Sequence, residues 1–285
     1  MGKNKYLFSR LILSCLILTL IIAGVVFYLR QNQTNASTNI NSNSAQSETT
    51  PKIDANLDAD KIAITNVPIL MYHYIRDYKD QSDLIGIDLS VSPQIFDQQM
   101  TYLTQNNYQT ITPSQMIDGF SGNFKIQNSK KPIIITFDDG YDDAYTNAFP
   151  ILLKHNFNAV FYIISGQIGQ NERMNREQII DLDKKGMIIG SHTVSHPSLT
   201  ELSNDILVQQ LSNSKSNLEQ LISHQIVDFC YPAGKYNDNV VSFLKTVGYK
   251  TAVTTESDVA NLNSDNYKLP RIRVKSSTNF ANILK

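Results

Sequence analysis

The chain of 285 residues has no tryptophan, only two cysteines, and a formal net charge of −1. Each scarcity excludes something. Cys15 lies in a long apolar run and Cys230 far along the folded part, so they do not pair and no disulfide scaffold exists. The fold must rest on its core alone, and an extracytoplasmic domain built this way points to a bacterial surface. Charge near balance, with no basic face, removes nucleic acid from the candidate partners. Histidine is also scarce, with five in the whole chain, so two of them in one short loop stand out. What the chain does have is an ordinary apolar fraction, 41%, which excludes disorder throughout.

The N-terminus lacks a small-x-small cleavage site. Lys3, Lys5 and Arg10 precede an uncharged run from Leu11 to Leu29, and no Ala-x-Ala triplet follows it. As a helix, nineteen residues span roughly 28 Å, enough for a bilayer core. Positive residues ahead of the run favour a cytoplasmic N-terminus with the remainder outside. A cleaved signal peptide would carry a shorter apolar core. Residues 1–30 are therefore read as a transmembrane signal anchor, which makes the chain a single-pass protein of the cell membrane; secretion after cleavage is the alternative. Residues 31–60, rich in Asn, Ser, Thr and Gln, cannot bury enough surface to fold and read as a flexible linker. Residues 61–285 form the folded domain.

From Val67 onward, apolar runs alternate with helical patterns. Strands are expected at Val67–Tyr72, Pro132–Phe137, Ala159–Ile164, Met187–Gly190, Val227–Tyr231, Tyr249–Thr254 and Leu269–Val274. Helices are expected at Pro93–Asn106, opened by Ser92 and Pro93, then at Asp142–Asn156, Arg176–Lys185, Ser203–Ile222 and Asp238–Val247. The strands are continuous rather than alternating in polarity, which implies parallel pairing with both faces covered. The fold class is thus α/β, a distorted (β/α) barrel of about seven parallel strands. In such a barrel, functional groups gather at the C-terminal strand ends.

Thr136-Phe137-Asp138-Asp139-Gly140 closes one apolar strand. His192-Thr193-Val194-Ser195-His196 follows another about fifty residues later. One carboxylate with two imidazoles is a common ligand set for a catalytic zinc-type ion, and it leaves a position open for water. A spare carboxylate one residue away can take the water's proton. The bland readings are a helix cap for the acidic pair and two surface imidazoles for the histidines. Pro197 makes a helix across 192–196 improbable, so a loop is expected, with Gly190-Ser191 giving it freedom to turn. Tyr231-Pro232-Ala233-Gly234 is a tight turn that can expose backbone N–H groups, as an oxyanion hole requires. His73 ends the first strand; a lone histidine in an apolar stretch is usually structural, but its position matches the other candidates. His155 and His224 read as structural.

Between about Val67 and Lys275 the chain resembles the polysaccharide deacetylases, the family-4 carbohydrate esterases with a NodB-homology domain. The Thr-Phe-Asp-Asp-Gly and His-Thr-x-x-His strings match that family's first two motifs. Met71-Tyr72-His73, the Tyr231–Gly234 turn and Leu269-Pro270-Arg271 place it nearest the branch that acts on poly-N-acetylglucosamine in biofilms. The resemblance implies that Asp139, His192 and His196 bind a divalent metal, most fittingly Zn²⁺, and that Asp138 is the general base. It puts Ala233, through its N–H, together with Tyr231 and Arg271, on the oxyanion and substrate side. Arg271 would also replace an arginine that steadies the base in many members, where this chain has Cys230. The usual C-terminal histidine acid is missing, which gives that role to His73. The implied activity is metal-dependent N-deacetylation of N-acetylglucosamine units in an extracellular polysaccharide, poly-beta-1,6-N-acetylglucosamine first. Peptidoglycan or chitin oligomers are alternative substrates, and an inactive carbohydrate-binding protein is the rival from another class.

Overall fold

The computed structural model describes residues 61–80 and 82–284. The expected anchor and linker, residues 1–60, lie outside the described residues. Among the described residues no helix is long and apolar enough to cross a membrane.

Eight strands form one sheet, and all of its pairings are parallel. They are β1 (Ile69–Tyr72), β2 (Tyr108–Thr110), β3 (Lys131–Phe137), β4 (Val160–Ile163), β5 (Ile188–Ser191), β6 (Asp228–Cys230), β7 (Thr251–Val253) and β8 (Ile272–Arg273). The order is β7-β6-β5-β4-β3-β1-β8, with β2 paired to the first half of β3. Just before β8, Leu269 makes a lone parallel bridge to Val253 at the end of β7. The last segment therefore touches both edges of the sheet, and the barrel is closed by a single bridge rather than a regular ladder.

Alternation along β3 explains why its sequence is apolar throughout. Ile133, Ile135 and Phe137 join the larger core cluster, whereas Ile134 packs with Ile69, Val160, Tyr162, Cys230, Val253 and Leu269 in a second one. Successive side chains point to opposite faces, and here both faces are buried. Thr136 and Asp138 continue the inner row begun by Ile134. That register carries a carboxylate into the barrel interior.

The helices are α1 (Pro93–Gln105), α2 (Pro113–Phe120), α3 (Phe149–Lys154), α4 (Arg176–Lys184), α5 (Asn204–Ile222) and α6 (Asp238–Val247). Ser92 caps α1 by accepting from the Ile95 N–H, with Pro93 in the first turn, as the sequence suggests. Gly248 ends α6 in the left-handed region, φ +93°, where a Cβ would be strained. The expected helix Asp142–Asn156 is not uniform. Residues Ala144–Ala148 form a π turn, with the Phe149 N–H reaching the Ala144 carbonyl, before α3 begins. Pro150 supplies the reason: it has no N–H for the ordinary ladder and its ring crowds the preceding turn. Strand β2, helix α2 and a short helix at Leu84–Leu89 are additions to the expected elements. For α2 the missed signal was a capping box between Thr112 and Gln115, with Pro113 behind the cap.

Candidate active site

The acidic pair divides between two environments. Asp138 is 3% exposed, and its N–H donates to the Tyr72 carbonyl at 3.0 Å, extending the β1–β3 ladder by one residue. Asp139 then adopts φ +70°. This left-handed step takes it off the inner row and turns its carboxylate towards the loop after β5.

Arg271 governs Asp138. Its Nη1 donates to Oδ1 and its Nη2 to Oδ2, both at 2.7 Å, a bidentate pair. Nη1 also donates to Thr136 Oγ1 at 2.9 Å, and Nε to the Thr254 carbonyl at 2.8 Å. The guanidinium is wholly buried. Burial alone would raise the Asp138 pKa, but the Arg271 charge and hydrogen bonds outweigh it and hold the carboxyl well below its usual range. Cys230 Sγ lies 3.5 Å from Asp138 Oδ2 and accepts from Arg271 Nη2 at 3.3 Å. Arg271 thus pairs with Asp138, the contact the resemblance suggested. Its expected substrate contact is corrected, because no buried guanidinium already spent on Asp138 can reach a ligand.

Asp139, His192 and His196 form a compact triangle. The Nε2 atoms of His192 and His196 lie 3.4 Å and 3.5 Å from the same Oδ1 of Asp139. Ligand atoms bound tetrahedrally at zinc distances sit about 3.3–3.4 Å apart, so the spacing fits one ion. The His192 Nδ1 is 2.7 Å from the Cys230 carbonyl. Donation there fixes the tautomer and leaves the Nε2 lone pair facing Asp139, the outer-shell arrangement of metal-binding histidines. Burial works against protonation of His192, but the Cys230 thiol and the Asp139 carboxylate outweigh it and push its pKa well above the ordinary imidazole value. His196, less buried, is pushed down by burial and then by His192. The three ligand atoms lie close enough together to hold one metal ion. Asp138, His192 and Cys230 are also close enough to form a ligand set, but Arg271 takes both Asp138 oxygens and the Cys230 carbonyl takes His192 Nδ1.

The 192–196 segment is a loop, as expected, but the turn is not made by Gly190-Ser191. Those residues lie within or at the end of β5, and the left-handed positions are Thr193 (φ +67°) and His196 (φ +59°). At Gly190 a Cβ would meet the Tyr162 ring at 2.5 Å, so that glycine serves packing.

His73 Nε2 sits 3.9 Å from Asp138 Oδ2. Burial lowers its pKa despite the nearby carboxylates. Ala233 is exposed, with φ +52°, in a 3₁₀ turn that follows β6 directly. Tyr231 is corrected: its ring is buried, stacks on Tyr236, and its hydroxyl donates to the Tyr267 carbonyl at 2.9 Å, so it is a core residue. His155 and His224 pair with Asp97 and Asp183. Sequence reading missed the Cys230 carbonyl and the Thr136 hydroxyl, whose roles depend on partners from β5 and from the segment before β8.

Comparisons with known proteins bear on the fold and the family. The polysaccharide deacetylase family profile matches residues 125–252. The candidate polysaccharide deacetylase YxkH of Bacillus subtilis is 32% identical over 212 residues, covering 73% of this chain and 71% of that protein. The poly-beta-1,6-N-acetyl-D-glucosamine N-deacetylase of Staphylococcus aureus is 26% identical over 239 residues, covering 76% and 81%. The solved structure of the Streptococcus pyogenes deacetylase PplD in complex with acetate superposes with a TM-score of 0.72 at 30% identity, covering 78% of this chain and 98% of that one.

Proposed function

The chain belongs to the polysaccharide deacetylase family and is a hydrolase of non-peptide carbon–nitrogen bonds; on that premise we propose that it is a zinc-dependent N-deacetylase of poly-beta-1,6-N-acetylglucosamine. The observation that carries the metal reading is the triangle of Asp139, His192 and His196, spaced at 3.4–3.5 Å about one carboxylate oxygen. The staphylococcal relative favours the polymer over peptidoglycan or chitin.

When bound, the ion supplies Lewis acidity to an acetamide oxygen and lowers the pKa of water beside it. The chain's own residues do the rest. Asp138, kept ionised and aimed by Arg271, accepts the proton of the attacking water. That support lowers its basicity, so it suits a water that is already acidified. The Ala233 N–H, at the mouth of the turn after β6, helps to hold the oxyanion. His73, neutral through burial and 3.9 Å from Asp138, is placed to receive a proton from that side and pass it to the departing amine.

The polymer is extracytoplasmic, and so, on this reading, is the domain, held at the membrane by Leu11–Leu29. Purified protein should release acetate from β-1,6-linked N-acetylglucosamine oligomers faster than from β-1,4-linked ones, and a chelator should abolish the reaction in a zinc-reversible way. Preference for the β-1,4 series would transfer the assignment to peptidoglycan or chitin oligomers. Release unaffected by chelation would remove the metal. Fractionation of cells making the full chain tests the anchor, and recovery mainly in the medium would refute it.

A further inference from the structure

The 192–196 loop is improbable by itself. Two non-glycine residues, Thr193 and His196, hold left-handed φ values. Such positions are strained and persist only where the surroundings over-determine them. Several contacts do so. The His196 N–H donates to Thr193 Oγ1 at 2.9 Å. The Ser165 and Gly166 N–H groups donate to the Thr193 and Val194 carbonyls at 3.0 Å and 2.9 Å. That approach requires glycine at 166, where a Cβ would come within 2.5 Å of the Val194 oxygen. Ser214 Oγ on α5 donates to the Thr193 carbonyl at 3.0 Å.

One contact is of another kind. Gln210, one turn before Ser214 on α5, accepts at a single Oε1 from both the Val194 and Ser195 N–H groups, each at 3.1 Å. Its Nε2 donates to Ser195 Oγ at 3.0 Å. The carboxamide thus clips the apex of the loop between its two histidines. The side chain is partly buried at the rim, outside both core clusters. Nothing in the local sequence marks it: it is one polar residue flanking the buried face of an amphipathic helix.

We propose that Gln210 is a positioning residue for the metal centre: by clipping Val194 and Ser195 it holds His192 and His196 at the separation that binds the ion, and so sets the metal affinity of the loop. This rests on the reading of Asp139, His192 and His196 as the ligands. Outer-shell partners of metal ligands typically contribute 10- to 100-fold in affinity. An acceptor is what the two N–H groups need, so glutamate should serve where alanine or methionine cannot, with the Ser195 hydroxyl reversing to become the donor.

The test is zinc titration of the metal-stripped full-length chain, in competition with a chromophoric chelator, with His192→Ala as the zero. Gln210→Ala and Gln210→Met should bind zinc about 10- to 100-fold more weakly than wild type, and Gln210→Glu within a few-fold of it. Metal-free melting temperatures should stay within about 2 °C, as for a rim substitution in a domain of this size. Turnover of the alanine variant should return close to wild type at saturating zinc. Wild-type affinity in Gln210→Ala and Gln210→Met would overturn the proposal while leaving the ligand assignment standing. A fall in affinity that tracks a fall in metal-free stability in all three variants would also overturn it. A wild-type chain that binds no zinc, or a His192→Ala chain that binds it fully, would bring down the ligand assignment and this inference with it.

Discussion

Asp138 and Asp139 are consecutive residues, yet they belong to two differently built halves of the site. Asp138 sits on the inner row of a regular strand, fully buried, with a guanidinium clamped across both oxygens. Asp139 sits one left-handed step beyond the strand, partly exposed, facing two imidazoles on a loop that itself holds two left-handed residues. The first half is rigid because the sheet and an ion pair make it so. The second is held in place by hydrogen bonds from neighbouring elements. Under the proposed function, burial on the strand suits a base that must be oriented and shielded, and the partly exposed Asp139 and His196 suit a centre that must admit ion and substrate. A third carboxylate extends the comparison. Asp228 begins β6, two residues before Cys230, and is buried with a 2.5 Å hydrogen bond from Thr251 but with no cation clamped on it. Burial pushes its pKa up to about 6.

The largest effect should come from removing the charge of the first half alone. Asp138→Asn should retain zinc, because the triangle is untouched, and lose about 10²- to 10⁴-fold in turnover. Near-normal turnover at neutral pH would place the base elsewhere and erase the division of labour between the two carboxylates.

Arg271→Met tests whether the first half is as rigid as its geometry implies. Truncating one member of a buried ion pair leaves an uncompensated charge and costs about 3–5 kcal/mol. Denaturant unfolding should show that loss, and the double variant Arg271→Met with Asp138→Asn should recover much of it. A single variant as stable as wild type would mean that water, not arginine, can satisfy Asp138.

His73→Ala sharpens the contrast beside Asp138 itself. Metal content and fold should be retained, while amide turnover drops by about 10²-fold. An activated acetyl ester should suffer much less, since its leaving group needs no proton. Equal losses on both substrates would return His73 to a packing role.

The smallest effect concerns Asp228, the carboxylate without a cation. Its pKa is raised from 3.8 to about 6 on folding. Its contribution is therefore fully present below the unfolded value and is lost as pH rises through about 6. Asp228→Asn should increase unfolding free energy by about 1–3 kcal/mol at pH 8 and change it little at pH 4. A variant destabilised equally at both values would show that the carboxylate, not its proton, is what the site needs.

The strands and most helices were legible because apolar periodicity, caps and terminal glycines are local signals. Both faces of β3 had to be buried, and its residues say so without knowledge of the partner strands. The strand ends carrying Asp138, Asp139, His192, His73 and Ala233 could be located for the same reason. Tyr231 was misassigned because sequence shows that a tyrosine follows a strand but not which way its hydroxyl points. The π turn before α3 was hidden behind a good helical stripe, although Pro150 offered a clue.

By itself, then, the sequence determined a parallel α/β barrel and brought two carboxylates and three imidazoles to its strand ends, because hydrophobic pattern and side-chain alternation act over a few residues. Only the tertiary structure decided how those groups divide. The bidentate hold of Arg271 on Asp138 joins residues 133 positions apart, and the Cys230 carbonyl on His192 joins residues 38 apart. Contacts of that range depend on strand register and barrel closure. Neither is written in any single segment, because both arise when separate segments bury their apolar faces against one another.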